Sequence, residues 1–375
     1  MQEFTEYAKR IQPELVQLIR DLCRIPAPSH HEEARAAFCQ KWFMDNGFPK
    51  VWTDGVLNVL APVRVANGGA LTVMMAHTDT VFPDTAPMPM TEQGGRMMCP
   101  GVTDDTANLA VLMLCARYFL KNPPADGRGI LFVANSCEEG LGNLKGSRQI
   151  VADYGARISD FITLDSNDMN KIVTRSVGSH RYRVQAKTEG GHSFANFGRR
   201  NAIEALAALI ERLYQVEVPH VGDSKTTYNV GLISGGTSVN TIAQSAEMMY
   251  EYRSDNRRCL ETMRQTFERL VNEARTDGVE IAVEVVGDRP CAGAVDAARL
   301  SALQDRVRAS MKAALGVEAV GYASSTDCNI PLAEGIPAVC FGVCRGGGCH
   351  TREEWLDTDS LADGCRLLLD FLYRK

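Results

Sequence analysis

The sequence predicts an α/β fold: a mostly parallel sheet with flanking helices, interrupted by an inserted ferredoxin-like α+β domain. Short apolar runs end abruptly in polar chemistry. Residues 70–76 lead into His77-Thr-Asp79, residues 129–135 into Cys137-Glu138-Glu139, residues 160–164 into Asp165, and residues 336–341 run toward Gly346-Gly-Gly-Cys-His350. Helical periodicity, as over residues 107–120, separates several of these runs, the alternation expected of α/β units around a parallel sheet. Between them the rhythm changes to β-α-β-β-α-β, the order of a split ferredoxin-like unit.

Taken in order, the chain opens with an amphipathic helical pattern, and the first chemically loaded loop follows the run at 70–76. In an open α/β sheet, ligands bind beyond the carboxyl ends of the strands, where these His, Asp and Glu residues fall. The middle reads as a strand at 181–187, a helix at 201–215, strands at 227–233 and 246–252, a helix at 257–275 and a strand at 279–286. This gives a discontinuous domain, residues 1–177 and 288–375, split by an inserted domain at 178–287. No internal repeat, low-complexity tract or Pro-rich linker breaks the pattern.

Composition narrows the function classes. With 375 residues, 45% hydrophobic and 23% charged, the chain has the make-up of a globular protein able to bury a core. Lys and Arg total 40 against 46 Asp and Glu, a net charge of −6 that gives no basic footprint for nucleic acid. The N-terminal residues mix charges through the helical pattern and lack a secretory h-region. The longest clean apolar run, 109–116, is far short of the roughly 20 residues of a membrane span. The 12 cysteines then read as reduced thiols, and the expected location is cytoplasmic.

His77, Asp104, Glu139, Asp165 and His350 are dispersed in sequence, yet each follows a strand or opens a helix on what should be one face of one sheet. Two imidazoles and three carboxylates suit zinc, cobalt or manganese and are too many for one tetrahedral ion; they suffice for two ions sharing a carboxylate. Other conspicuous features read as structure. Cys340, Cys344 and Cys349 match no common zinc spacing, and Gly346-Gly-Gly348 lacks the Lys and helix start of a phosphate loop.

Six ordered motifs, His77-Thr-Asp79, Gly101-Val-Thr-Asp104-Asp105, Glu138-Glu139, Leu164-Asp165, Gly190-Gly-His192-Ser193 and His350-Thr-Arg-Glu-Glu354, resemble those of the M20 dinuclear zinc metallopeptidases, which include peptidase T, carboxypeptidase G, aminoacylases and acetylornithine deacetylase. The resemblance spans nearly the whole chain. It implies that His77 and Asp165 ligate one ion, Glu139 and His350 the other, and that Asp104 bridges them. The ions would be zinc, with cobalt or manganese as alternatives. Asp79 would fix the His77 ring from its far side, and Glu138 would be the general base. A cis peptide is expected between Asp104 and Asp105. Many relatives carry Lys where this chain has Thr106, a departure beside the helix start.

For the inserted domain, the resemblance implies a dimerisation or lid role. His192 would reach the active site of a partner subunit and polarise the scissile carbonyl, while Asn240 and Arg253 would grip substrate polar groups, Arg253 through a carboxylate. A homodimer through the inserted domain follows, with hinges near Gly178 and Gly287. The expected activity is metal-dependent hydrolysis of an amide bond in a small peptide. Asp at position 165 tilts the substrate toward di- or tripeptides with a free amine, because relatives acting as carboxypeptidases or deacylases usually carry Glu there. An N-acyl-amino-acid deacylase or carboxypeptidase is the alternative, and a non-catalytic binding module is the alternative of a different class. No nucleic-acid or membrane partner is expected.

Overall fold

The computed structural model describes residues 2–374. Its main sheet has eight strands in the spatial order Trp52–Thr53, Val59–Val63, Ile130–Asn135, Leu71–His77, Ile158–Leu164, Ala338–Phe341, Lys171–Ser176 and Val320–Ser324. The central four, from Ile130–Asn135 to Ala338–Phe341, run parallel. Their carboxyl ends therefore share one edge. Ile130–Asn135 is buried along its whole length, as its unbroken apolar run requires when both faces are covered. The sheet turns antiparallel on either side, where Val59–Val63 meets Ile130–Asn135 and Lys171–Ser176 meets Ala338–Phe341.

Helices Gln2–Cys23, Ala107–Lys121, Ala297–Leu315 and Ser360–Tyr373 contribute to one continuous apolar core with these strands. All twelve cysteines are free, and only Cys349 is not fully buried. Among the described residues, no helix is long and apolar enough to cross a membrane.

The chain separates into two compact units: residues up to 176 together with those from 293, and residues 177–292. The second unit is an antiparallel sheet ordered Thr226–Gly235, Ser245–Ser254, Gly178–Lys187, Glu280–Arg289, with helices Ala202–Tyr214 and Arg257–Ala274. Strict alternation of burial along Ser245–Ser254 gives the sheet one core-facing side, where Val184, Met248 and Tyr250 pack with Leu206, Leu209 and Phe267 of the helices. Both helices start on an asparagine whose side chain accepts a backbone N–H, Asn201 from Ile203 and Asn256 from Arg258 and Cys259. The last strand runs past the expected end at 286, because a bulge between Val285 and Gly287 resumes the pairing with Gly178–Lys187.

A small antiparallel sheet, ordered Arg345–Gly347, Trp355–Asp357, Arg96–Met98, Thr91–Gln93, is absent from the sequence expectations. Its signal is nonetheless local. Gly94 and Gly95 both have positive φ, 59° and 78°, the conformation that a two-residue hairpin turn demands and that glycine supplies.

Helix Ser360–Tyr373 lies so close to the chain at Val343 that a Cβ on Gly364 would sit 1.6 Å from the Val343 carbonyl oxygen. Backbone cannot retreat as a side-chain tip can, so Gly364→Ala is expected to destabilise the protein by about 2 kcal/mol or more. The urea unfolding midpoint measures this. An unchanged midpoint would mean that the helix can shift without cost.

Candidate metal centre and active site

Adjacent parallel strands deliver most of the polar cluster. His77 is the last residue of its strand, Asp165 directly follows Ile158–Leu164, and Glu138 and Glu139 follow Ile130–Asn135. Asp104 arrives from the loop ahead of helix Ala107–Lys121, and the Asp104–Asp105 peptide is cis. His350 lies in the turn between Arg345–Gly347 and Trp355–Asp357, with a left-handed φ of 64°.

The Asp104 carboxylate stands between the two imidazoles. Its Oδ1 is 3.0 Å from His77 Nε2 and its Oδ2 is 3.0 Å from His350 Nε2. His350 Nε2 is also 3.2 Å from Glu139 Oε1. Ligand atoms of His77, Asp104 and Glu139 lie within 4.8 Å of one another, and so do those of His77, Glu138 and Asp165. His77 belongs to both groups, and Glu138 sits beside Asp165.

Burial sets the electrostatics. It opposes charge on His77, but the Asp105, Asp104 and Asp79 carboxylates around the ring hold its pKa well above the usual imidazole value. It opposes charge on Asp104 too, and there the hydrogen bonds from His350 and His77 win and hold the carboxyl well below its usual range. Hydrogen bonds to Asp104 and Glu139 raise His350 to about 11. Glu139 is pushed up to about 8 by burial and by the nearby Asp104 charge. Asp165 lies well above its ordinary value through burial and the charges of Glu138 and Asp104.

A second set of carboxylates holds the backbone beneath this cluster. The sequence expectation gives the Asp79 carboxylate the task of fixing His77. In the structure the Asp79 backbone carbonyl is nearest to His77 Nδ1, at 3.0 Å, with carboxylate Oδ1 at 3.4 Å. The carboxylate also accepts from the backbone N–H groups of Glu138 and Glu139, both at 3.0 Å, and from the Ser29 hydroxyl at 2.6 Å. Asp105 accepts from His77 N–H at 2.9 Å and from the Asn108 amide at 2.7 Å.

Glu354, to which the sequence motif assigns no task, is fully buried. It accepts from the backbone N–H groups of Gly101 (2.7 Å), Thr103 (2.7 Å) and Asp104 (3.0 Å), and from the Thr103 hydroxyl (2.6 Å). One side chain thus ties the Asp104 loop to the segment that carries His350.

The remaining sequence-derived candidates belong to the second unit. Gly191–His192 pairs antiparallel with Thr241–Ile242, and Ser193 N–H donates to the Asn240 carbonyl at 3.0 Å, so His192 and Asn240 occupy neighbouring loops. Arg253 lies on Ser245–Ser254 and is engaged by Glu251, Nε to Oε1 at 2.9 Å and Nη2 to Oε2 at 3.0 Å. Arg181 shares that carboxylate at 3.2 Å.

If Glu354 shapes the Asp104 loop, Glu354→Ala should weaken divalent-metal binding by about 10- to 100-fold. Equilibrium dialysis with zinc reads the affinity, and circular dichroism checks that the fold survives. Wild-type affinity in a folded variant would mean that the loop keeps its shape without this carboxylate.

The family model for peptidase family M20/M25/M40 matches residues 73–374. In sequence, the chain is 28% identical over 376 residues to succinyl-diaminopimelate desuccinylase of Corynebacterium glutamicum, with 95% of each chain covered. In fold, it is similar to aminopeptidase PepT from Bacillus cereus, with a TM-score of 0.72 and 21% identity over 96% of this chain and 98% of that one. It is also similar to the Bacillus subtilis YXEP protein, a dinuclear metal-binding peptidase, with a TM-score of 0.67 and 17% identity over 97% and 98% of the two chains. Identities this low speak for the fold alone. The family match, which extends from the His77 strand to the end of the last helix, shows that the chain belongs to peptidase family M20/M25/M40, hydrolases of peptide and amide bonds.

Proposed function

We propose that this protein hydrolyses an amide bond in a small peptide, as a di- or tripeptide aminopeptidase, with two divalent metal ions and Glu138 as general base. The observation that carries the reading is the Asp104 carboxylate, whose two oxygens each face a different imidazole at 3.0 Å. The donor chemistry fits: two imidazoles and three carboxylates exceed the needs of one tetrahedral ion and suit two borderline ions, zinc first, with cobalt or manganese as alternatives. His77 and Asp165 would hold one ion, Glu139 and His350 the other, with Asp104 between.

Divalent ions held by these residues would polarise an amide carbonyl and acidify water. The protein's own groups do the rest. Glu138, only 5% exposed and grouped with His77 and Asp165, takes the proton from the attacking water and returns it to the leaving amine. Asp79 keeps that carboxylate in place by binding the backbone N–H of Glu138 and Glu139. His192 Nδ1 accepts the backbone N–H groups of Phe194 and Ala195 at 3.2 and 3.3 Å. That assigns the ring proton to Nε2, which is then free to donate to a developing oxyanion. Asn240 and Arg253 complete substrate binding, and Arg253 takes a carboxylate by leaving Glu251 to Arg181.

A homodimer through residues 177–292 belongs to the same reading. Thr226–Gly235 is an edge strand, and Leu232 and Ile233 on it are 68% and 57% exposed. An edge of this kind invites pairing with a second copy. His192 would then act in the partner's site.

Two kinds of experiment, on metal dependence and on substrate choice, test the proposal. Chelation should abolish amide hydrolysis, and metal replacement should restore it. Protons on His350, raised to about 11, and on Glu139, raised to about 8, compete with the ions. Metal binding must therefore release protons, and affinity should rise as the pH is raised from about 6 to about 8. Calorimetric titration in buffers of different ionisation enthalpy checks the release; no proton release would remove these two groups from the ligand set. The second experiment compares a tripeptide bearing a free amine with its N-acetyl and N-succinyl forms. The aminopeptidase reading expects the free amine to be cleaved faster. The desuccinylase relative favours the opposite outcome, an N-acyl-amino-acid deacylase.

A further inference from the structure

Phe194, Phe197 and Val239 are 89%, 91% and 102% exposed, and Leu232 follows at 68%, so these are the three most exposed large apolar side chains among the described residues. All three lie in the two loops that carry His192 and Asn240. Phe194 is two residues after His192, and Val239 directly precedes Asn240. The loops are tied together, Gly191–His192 pairing with Thr241–Ile242 and Ser193 N–H donating to the Asn240 carbonyl at 3.0 Å.

The turn bearing the rings is held by its own hydrogen bonds. Asn196 Oδ1 accepts from His192 N–H at 2.9 Å, and Asn196 N–H donates to the His192 carbonyl at 2.9 Å. Phe194 N–H donates to the His192 ring at 3.2 Å, and Phe197 N–H to the Phe194 carbonyl at 3.4 Å. One hydrogen-bonded turn therefore sets both the orientation of the imidazole and the presentation of two phenyl rings. Rings nine-tenths exposed add nothing to the core of their own unit. Exposed apolar groups set beside a few fixed polar donors are the composition of a small-molecule recognition surface.

We propose that Phe194, Phe197 and Val239 form the wall of a substrate subsite for an apolar side chain or acyl tail, next to the polar contacts of His192 and Asn240. The occupant is the substrate rather than a second copy of the chain for two reasons. The apolar groups alternate with polar side chains suited to an amide, and the edge strand Thr226–Gly235, which leads into the Val239 loop, has its own exposed Leu232 and Ile233 as the surface a second copy would use. The inference rests on the proposed amide hydrolysis with His192 at the substrate carbonyl, and it narrows the substrate to small amides bearing an aliphatic or aromatic residue.

The test is kcat/KM across matched peptides differing in one side chain, Gly, Ala, Leu, Phe, Asp and Lys, with wild type, the Phe194→Ala/Phe197→Ala double variant, Val239→Ser and His192→Ala. Wild type should favour Leu and Phe over Ala by about tenfold or more. The double variant should erase most of that preference, mainly through KM, while leaving Gly and Ala within about twofold. Val239→Ser should move in the same direction by less. His192→Ala should depress every peptide alike.

An equal loss on all peptides in the double variant would overturn the subsite, leaving the turn a support for His192 only. So would unchanged selectivity, or a loss accompanied by a shift in sedimentation coefficient, which would assign the rings to a second copy. A wild-type protein that cleaves every peptide equally overturns this inference alone. One that cleaves no amide under any metal overturns the proposed function and this inference with it.

Discussion

Irregular backbone at the edge of a sheet has N–H groups that no ladder can take, and here buried carboxylates take them. Glu32 accepts from Cys137 at 2.9 Å, Asp79 from Glu138 and Glu139 at 3.0 Å, and Asp105 from His77 at 2.9 Å. Glu354 accepts from Gly101, Thr103 and Asp104 at 2.7, 2.7 and 3.0 Å. An unpaired buried N–H costs about as much as a lost hydrogen bond, so these side chains decide whether the loops can lie where they do. The polar cluster depends on that. His77, Asp104, Glu138 and Glu139 each have a backbone N–H fixed by a carboxylate from elsewhere in the chain. Arg35 supplies the opposite service. Fully buried, it donates to the carbonyls of Leu22, Ile25 and Thr78, and so places a positive charge beneath the acidic loops.

What the sequence makes legible follows from period and position. Residues 70–76, 129–135 and 160–164 announce themselves as strands because fully covered parallel strands are unbroken apolar runs. The structure places them side by side as Leu71–His77, Ile130–Asn135 and Ile158–Leu164. The inserted unit is legible from its alternating strands and amphipathic helices. Its last strand is less so, because Gly287 reads as a terminator while the bulge carries the pairing through it to Arg289. Val59–Val63, interrupted by Pro62, and Lys171–Ser176 and Val320–Ser324, with polar or small residues among few apolar ones, have too little pattern to stand out. The antiparallel placement of Lys171–Ser176 is hidden twice over, because strand direction within a sheet has no local signature either.

The same limit explains Glu354 and Asp79. Their partners are backbone groups far away in sequence: Gly101 lies 253 residues from Glu354, and Glu138 lies 59 from Asp79. A side chain that binds a ligand has chemistry that singles out its residue type, and His and Asp at strand ends are conspicuous on those grounds. A side chain that binds backbone can serve any sequence. What could have pointed to it is the Gly94-Gly95 hairpin, which predicts a strand pair immediately ahead of the Asp104 loop and hence an external scaffold for it.

On the two-ion reading, protons and divalent ions would compete for the same atoms in the cluster, and each shift has a direction set by its neighbours. Asp104 stays charged because two imidazoles face it, whereas Glu139 and Asp165 are pushed toward their neutral forms by burial and by neighbouring carboxylates. The imidazoles in turn hold protons that their neighbours' negative charge stabilises. A group of this kind is neutralised either by taking up protons or by cations placed among the oxygens. Held by His77, Asp104, Glu139, Asp165 and His350, divalent ions would supply that neutralising charge in place of the imidazole protons. What separates ligand from scaffold is where the oxygens point: Asp104 presents both to imidazoles, whereas Asp79 spends its carboxylate on the His77 ring, the Ser29 hydroxyl and two backbone N–H groups.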